Sequence, residues 1–203
     1  MNRGSTILSL CSVNFSTPDR RSLGCNVNID LEAGQFLLLT GPNGAGKSTL
    51  IEIILGMRPL DSGFVHLQVP EPAISYLPQM QDTQTHMPFS LRDVLQVSVD
   101  RTVDDDEITG FNLLTSEHLD LGWNNASGGE KRRTLLTSIF LQEPELIVLD
   151  EPFNHLDTDS RQIMASSLGS YVKRLNKCVI LSTHEGFESD PLLGELTIKH
   201  IAL

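Results

Sequence analysis

Cysteine, positive charge and long apolar runs are all scarce in this 203-residue chain, and each shortage narrows what it can be. The three cysteines, Cys11, Cys25 and Cys178, are odd in number and scattered without paired spacing. That excludes the usual zinc and redox motifs and leaves them as inert small hydrophobes. Fifteen Lys and Arg stand against 26 Asp and Glu, for a formal net charge of -11. Phosphate-backbone contacts need clustered cations, so a general nucleic-acid-binding surface is excluded. The longest apolar runs, QFLLLT at 35–40 and ELIVLD at 145–150, are far below the roughly 20 residues that cross a bilayer. Residues 1–15 hold no sustained apolar stretch and no small-residue cleavage site, so the chain reads as cytoplasmic.

What is present suits one globular domain, 1–203. Hydrophobic residues make up 39% and charged residues 20%, ordinary for a folded protein and far from the composition of disorder. Apolar runs predict strands over 7–13, 27–31, 36–40, 64–67, 74–77, 146–150, 178–182 and 196–201. Helical periodicity predicts helices over 47–55, 91–98, 128–141 and 158–175. Several strands are continuously apolar, as burial on both faces requires. Their alternation with helices argues for an α/β fold around a mostly parallel sheet. The stretch 88–125 lacks strong strands and reads as a helical insertion, within a helical subdomain of about 88–142. Its acidic run, Asp104, Asp105, Asp106 and Glu107, belongs to a type that is far more often a solvated loop or helix start than a metal site.

Three motifs carry chemistry. GPNGAGKST, from Gly41 through Pro42, Asn43, Gly44, Ala45, Gly46, Lys47 and Ser48 to Thr49, follows an apolar strand and opens a helix, the context of a phosphate-binding P-loop. Its glycines allow a sharp turn close to phosphates, and the helix points its positive end at them. Lys47 supplies a point charge to the β- and γ-phosphates, and Ser48 offers a hydroxyl to Mg²⁺. LIVLDEP at 146–152 ends a strand in two carboxylates, at the edge where parallel sheets bind ligands. Asp150 is placed for Mg²⁺ and Glu151 for accepting a proton from an attacking water. ASGGE at 126–130 opens a further helix, with Ser127 as cap and Gly128 and Gly129 as a bare, anion-binding start.

In this order the three motifs closely resemble those of the ATP-binding cassette (ABC) ATPases, whose signature is LSGGQ followed by basic residues, and the likeness runs nearly the whole chain. The resemblance implies a P-loop fold of ABC type, with an antiparallel β subdomain beside the mostly parallel sheet and a small helical insertion. It also implies ATP and Mg²⁺ at the site. By the same resemblance Gln79 is the glutamine that contacts Mg²⁺ or water and senses a membrane partner. His184 is the switch histidine near the γ-phosphate, and Asp157, in NHLD, is the aspartate that crosses the dimer interface. The chain departs from the pattern at Ala126 and Glu130 (commonly Leu and Gln), at Phe153 (commonly Thr), and at Thr17, where an adenine-stacking Tyr is common. Phe15, two residues earlier, is a candidate for that stacking or a core residue, and modest nucleotide selectivity is expected.

The resemblance implies an ATP-hydrolysing transporter subunit that pairs head to tail with a second ABC subunit, by expectation another copy of this chain, and works on an integral membrane permease. That would place it at the inner face of the cell membrane. Met80, Met87 and Phe89, in a polar stretch after Gln79, are candidates for the permease contact. The segment is similar to that of cassettes serving zinc and manganese importers, while His86 and its neighbouring methionines are no evidence of metal binding. SGGEKRR and EPFNHLD also look like segments of the ABC-F translation factors, a soluble, ribosome-directed alternative. Those carry two cassettes per chain, and the acidic balance disfavours RNA. Repair ATPases with a cassette head would need heptad-rich coiled coils, which the sequence lacks.

Overall fold

The computed structural model describes residues 6–79, 87–99, 101–154, 156–184 and 197–203, with only the backbone of Pro72. In chain order the elements are β1 (Thr6–Ser16), β2 (Ser22–Glu32), β3 (Gln35–Thr40), α1 (Lys47–Ile54), β4 (Ser62–Leu67), β5 (Ile74–Leu77), α2 (Leu91–Ser98), α3 (Asp105–Thr109), α4 (Ser116–Leu119), α5 (Gly128–Leu141), β6 (Leu146–Asp150), α6 (Thr158–Leu175), β7 (Cys178–Thr183) and β8 (Thr197–Ala202). The expected first residue of β8, Leu196, lies outside the described residues. Strands β1 and β2 run well beyond the predicted 7–13 and 27–31. Apart from Phe15 and Leu23, the added residues are polar or small, and cross-strand pairing extends the strands through them.

Five strands form a parallel sheet in the order β5-β6-β7-β3-β8, and three form an antiparallel sheet in the order β2-β1-β4. Side chains alternate across a strand, so the uninterrupted apolar runs feed two cores at once. Phe36, Leu38, Ile147, Leu149, Val179 and Leu181 face one layer, with α5, α6 and the helical insertion. Leu37, Leu39, Leu146, Val148, Cys178 and Ile180 face the other, with α1 and the antiparallel sheet. Every residue of β6 and β7 is buried. Truncating one of their leucines to alanine would cost roughly 2–5 kcal/mol.

The insertion is held by polar links. Arg92 on α2 pairs with Asp105 at the start of α3 and, at 3.2 Å, with Asp120 just past α4. Asp104 caps α3 by accepting from the Glu107 N–H at 2.8 Å, so the acidic run is a helix start. Beneath them Leu91, Trp123 and Ala126 form a small separate core. Ala126, where the family commonly has Leu, is buried within it.

Cys178 is buried, but Cys11 and Cys25 are exposed on the antiparallel sheet. Only one of the three therefore behaves as a core hydrophobe. Burial pushes the Cys178 thiol up to about 11, and its Sγ donates to the Glu32 carbonyl at 2.9 Å.

Candidate functional site

Parallel register brings three strand ends together at the carboxyl edge of the central sheet. Thr40 of β3 lies beside Thr183 of β7, and Asp150 of β6 lies beside Ser182 of β7. The P-loop leaves β3 at this edge, and Glu151 stands at the end of β6, with β7 between them.

Gly46 begins α1 in the left-handed conformation, φ 112°, without a side-chain cap. It also packs against Phe15 and Leu23, so a Cβ there would meet both strain and contact at 3.0–3.1 Å. An uncapped helix start leaves its first-turn N–H groups to an external acceptor, and an anion is the natural one. Pro42, Asn43 and Gly44 are exposed, Gly41, Ala45, Ser48 and Thr49 half-buried, and Lys47 buried. The ammonium of Lys47 donates to the carbonyls of Gly41, at 2.9 Å, and Pro42, at 3.2 Å, within its own loop. It also pairs with Glu151 Oε1 at 3.1 Å.

Glu151 is the centre of the arrangement. Its side chain is only 7% exposed, and its backbone sits at φ 50° in the left-handed region, which favours glycine. Besides Lys47, it accepts from Gln79 Nε2 at 3.1 Å and from Asn154 Nδ2, both on Oε2. Ser182 straps the two carboxylate positions together: its hydroxyl accepts from the Glu151 N–H at 2.8 Å and donates to Asp150 Oδ1. Asp150 is itself buried. Tyr76 on β5 feels this carboxylate: burial first, then the charges of Asp150 and Glu52, push its hydroxyl up to about 12. Ser48, Asp150 and Gln79 each carry a side-chain oxygen, the ligand type that suits Mg²⁺.

The other expected residues lie apart. His184 is exposed one residue past β7, outside the contacts that join Lys47, Gln79, Asn154 and Glu151. Asp157 caps α6, accepting from the Ser160 N–H at 2.7 Å. That bond, backbone first, holds its carboxyl below the usual range. Ser127 caps α5 in a closed box: its Oγ accepts from the Glu130 N–H at 3.2 Å, and Glu130 accepts from the Ser127 N–H at 2.7 Å. Ser127 and Gly128 face solvent, and a Cβ on Gly128 would meet nothing within 4 Å. Gly129 is turned inward, where a Cβ would come within 2.7 Å of Ser160 Oγ, itself held by Arg133 at 2.6 Å. Of the two glycines, therefore, one keeps the cap face open and the other seats α5 on α6.

Phe15 is 1% exposed, with its ring against Gly24 and Gly46. It is a core residue beneath the P-loop and does not offer a face to a base. Met87 is half-buried against the small core of Leu91, Trp123 and Ala126, while Phe89 is 48% exposed. Met80 and His86 lie outside the described residues. Among the described residues no helix is long and apolar enough to cross a membrane. Asn154 and Ser182 are the residues that motif reading missed. Neither carries a signal in the sequence, because each acts through the turn or neighbouring strand that folding brings beside Glu151.

A phosphate-binding loop, an opposed lysine and carboxylate, and a second helix start capped by Ser127 and opened by Gly128, on a parallel sheet, define a P-loop nucleoside triphosphatase. Residues 25–154 match the family model described as ABC transporter. The chain is 32% identical over 182 residues to the zinc import ATP-binding protein ZnuC 1 of Aliivibrio fischeri, covering 89% of this chain and 70% of that protein. Its fold is shared with CbiO1 of Clostridium perfringens, part of the ABC transporter complex cbiONQ (TM-score 0.71, 24% identity, 89% and 79% of the two chains). It is shared too with a dimeric ATP-binding cassette in a post-hydrolysis state with ADP and Pi (TM-score 0.66, 19% identity, 88% of each). The chain belongs to the ABC transporter family: it is an ATP-binding, ATP-hydrolysing subunit that works with a separate membrane permease. The transporter reading is favoured over the ribosome-directed one.

Proposed function

We propose that two copies of this chain close head to tail around two ATP molecules, each held by the P-loop of one copy and the Ser127–Gly128 helix start of the other. One observation carries the reading. The anion-binding end of α5 is exposed, while the hydrolytic groups Lys47, Gln79 and Glu151 converge on a different helix start of the same chain. Each site is thus built as half of a pair.

Within a closed site Lys47 leaves Glu151 for the β- and γ-phosphates, and Glu151 takes a proton from the water that attacks the γ-phosphate. Mg²⁺, held by Ser48, Asp150 and Gln79, would neutralise developing phosphate charge. Asp157 and His184, both exposed, complete the site across the interface and near the γ-phosphate. ATP favours the closed state and hydrolysis releases it, which drives the permease between its accessible faces. Phe89, exposed on the insertion, faces that permease at the inner side of the membrane. The likeness to a zinc import protein supports a transition-metal ion as cargo.

Glu151→Gln keeps the volume and hydrogen-bonding reach of the side chain while removing the base. With ATP and Mg²⁺ the variant should elute from gel filtration as a stable dimer with little turnover. A variant that stays monomeric overturns the paired site. Co-purification with the native permease, followed by metal uptake in reconstituted vesicles, tests the cargo.

A further inference from the structure

Among the described residues three donors hold the Glu151 carboxylate, and they differ in what ATP does to them. Lys47 must serve the phosphates, so an incoming triphosphate draws it from Oε1. Gln79 reaches Oε2 from an exposed position past the end of β5. Asn154 reaches the same Oε2 from within the turn that Glu151 itself begins, and that turn is closed a second time by the Asn154 N–H to the Glu151 carbonyl at 3.3 Å. Between them Pro152 and Phe153 are both buried, and Phe153 joins the core on the α5–α6 side of the sheet. The turn is therefore anchored independently of nucleotide.

We propose that Asn154 is a positioning residue for hydrolysis. It pins Oε2 of Glu151 so that, once Lys47 has left, Oε1 remains as a fixed acceptor for the proton of the attacking water. The proposal rests on Glu151 as the base. An asparagine suits the task because an ionised carboxylate only accepts hydrogen bonds, so the amide must present Nδ2, a donor. That group does not titrate and cannot compete for the proton. An aspartate at 154 would withdraw the donor and set a second negative charge beside the first. Phe153, where the family commonly has Thr, contributes an anchor here, which leaves the polar contact to the next residue.

The test is steady-state ATP hydrolysis by the intact chain, with ATP affinity measured separately by equilibrium binding. Asn154→Ala should lower kcat by about tenfold or more, the scale of one charge-assisted hydrogen bond, with KM and ATP binding within about twofold of wild type. Asn154→Asp, the same size without the donor, should lose at least as much, and Asn154→Ser should recover part of the rate. In a Glu151→Gln background the substitution of Asn154 should cost almost nothing further, because a residue that acts through Glu151 has nothing left to position. Should Asn154→Ala fail to fold, the isosteric Asn154→Asp carries the same comparison. Wild-type kcat in Asn154→Asp, a parallel loss of ATP binding, or full additivity with Glu151→Gln overturns the proposal. If Glu151→Gln itself turns over at the wild-type rate, the base assignment beneath it fails instead.

Discussion

Phe15 decides how the site treats the nucleotide base. The β1–β2 hairpin borders the P-loop through Gly46 and carries Thr17, at the position where the family commonly has an adenine-stacking Tyr. Its aromatic ring is spent on Gly24 and Gly46 in the core, and the exposed turn beyond it offers Thr17, whose hydroxyl is already taken by the Arg21 N–H at 3.0 Å. Recognition then rests on the phosphates. ATP, GTP and CTP should compete for the site within about tenfold of one another, a span of about 1.4 kcal/mol, and Thr17→Tyr should add stacking and favour the purines. Competition binding measures both, and an ATP preference of orders of magnitude would refute the first. At this scale the motifs made Lys47, Asp150 and Glu151 legible. Asn154 and Ser182 were not, since one depends on a left-handed turn and the other on the register of β6 with β7.

Among the elements, the helical insertion and the α5 cap rest on ionised carboxylates. Asp93, paired with Ser90 at the start of α2, is held below its ordinary range by that cap. Asp105 is lowered by Arg92, Glu107 by Arg101 and Glu130 by the Ser127 box. Each lies lower in the folded chain than in the unfolded one. Their contribution is therefore present above the ordinary carboxylate range near pH 4 and lost as pH falls through the depressed folded values. On acidification, amide exchange should rise first across 88–142 and later in β3, β6 and β7, whose cores are apolar. Simultaneous loss of protection in both regions would contradict this. The same contrast explains what was legible. Long apolar strands and helices α1, α2, α5 and α6 announce themselves by pattern. Helices of four or five residues, such as α3 and α4, have too little length for periodicity and are specified by caps and by Arg92.

On the proposed reading the whole molecule is half of a pair, and one partner copy completes both the P-loop helix start and the α5 start. If catalysis needs the P-loop of one chain and Ser127 of another, inactive variants should complement. A Glu151→Gln chain has an intact α5 cap, and a Ser127→Arg chain has intact hydrolytic groups. Each alone should hydrolyse little, whereas a mixture should recover up to about a quarter of wild-type activity, because half of randomly paired dimers contain one good site of two. Absence of recovery in subunit-exchanged mixtures would place both contributions within one chain.

The contact between Lys47 and Glu151 bears on how inactive forms of this protein should be prepared. Replacing Lys47 by alanine or methionine removes a phosphate ligand, but it also strands a carboxylate with 7% exposure without its cation, a defect worth roughly 3–5 kcal/mol in comparable settings. Such a variant would report lost nucleotide affinity and a loosened scaffold in a single number. A glutamine at 151 keeps one acceptor oxygen for those donors and leaves Lys47 the Gly41 and Pro42 carbonyls, and makes the cleaner control protein.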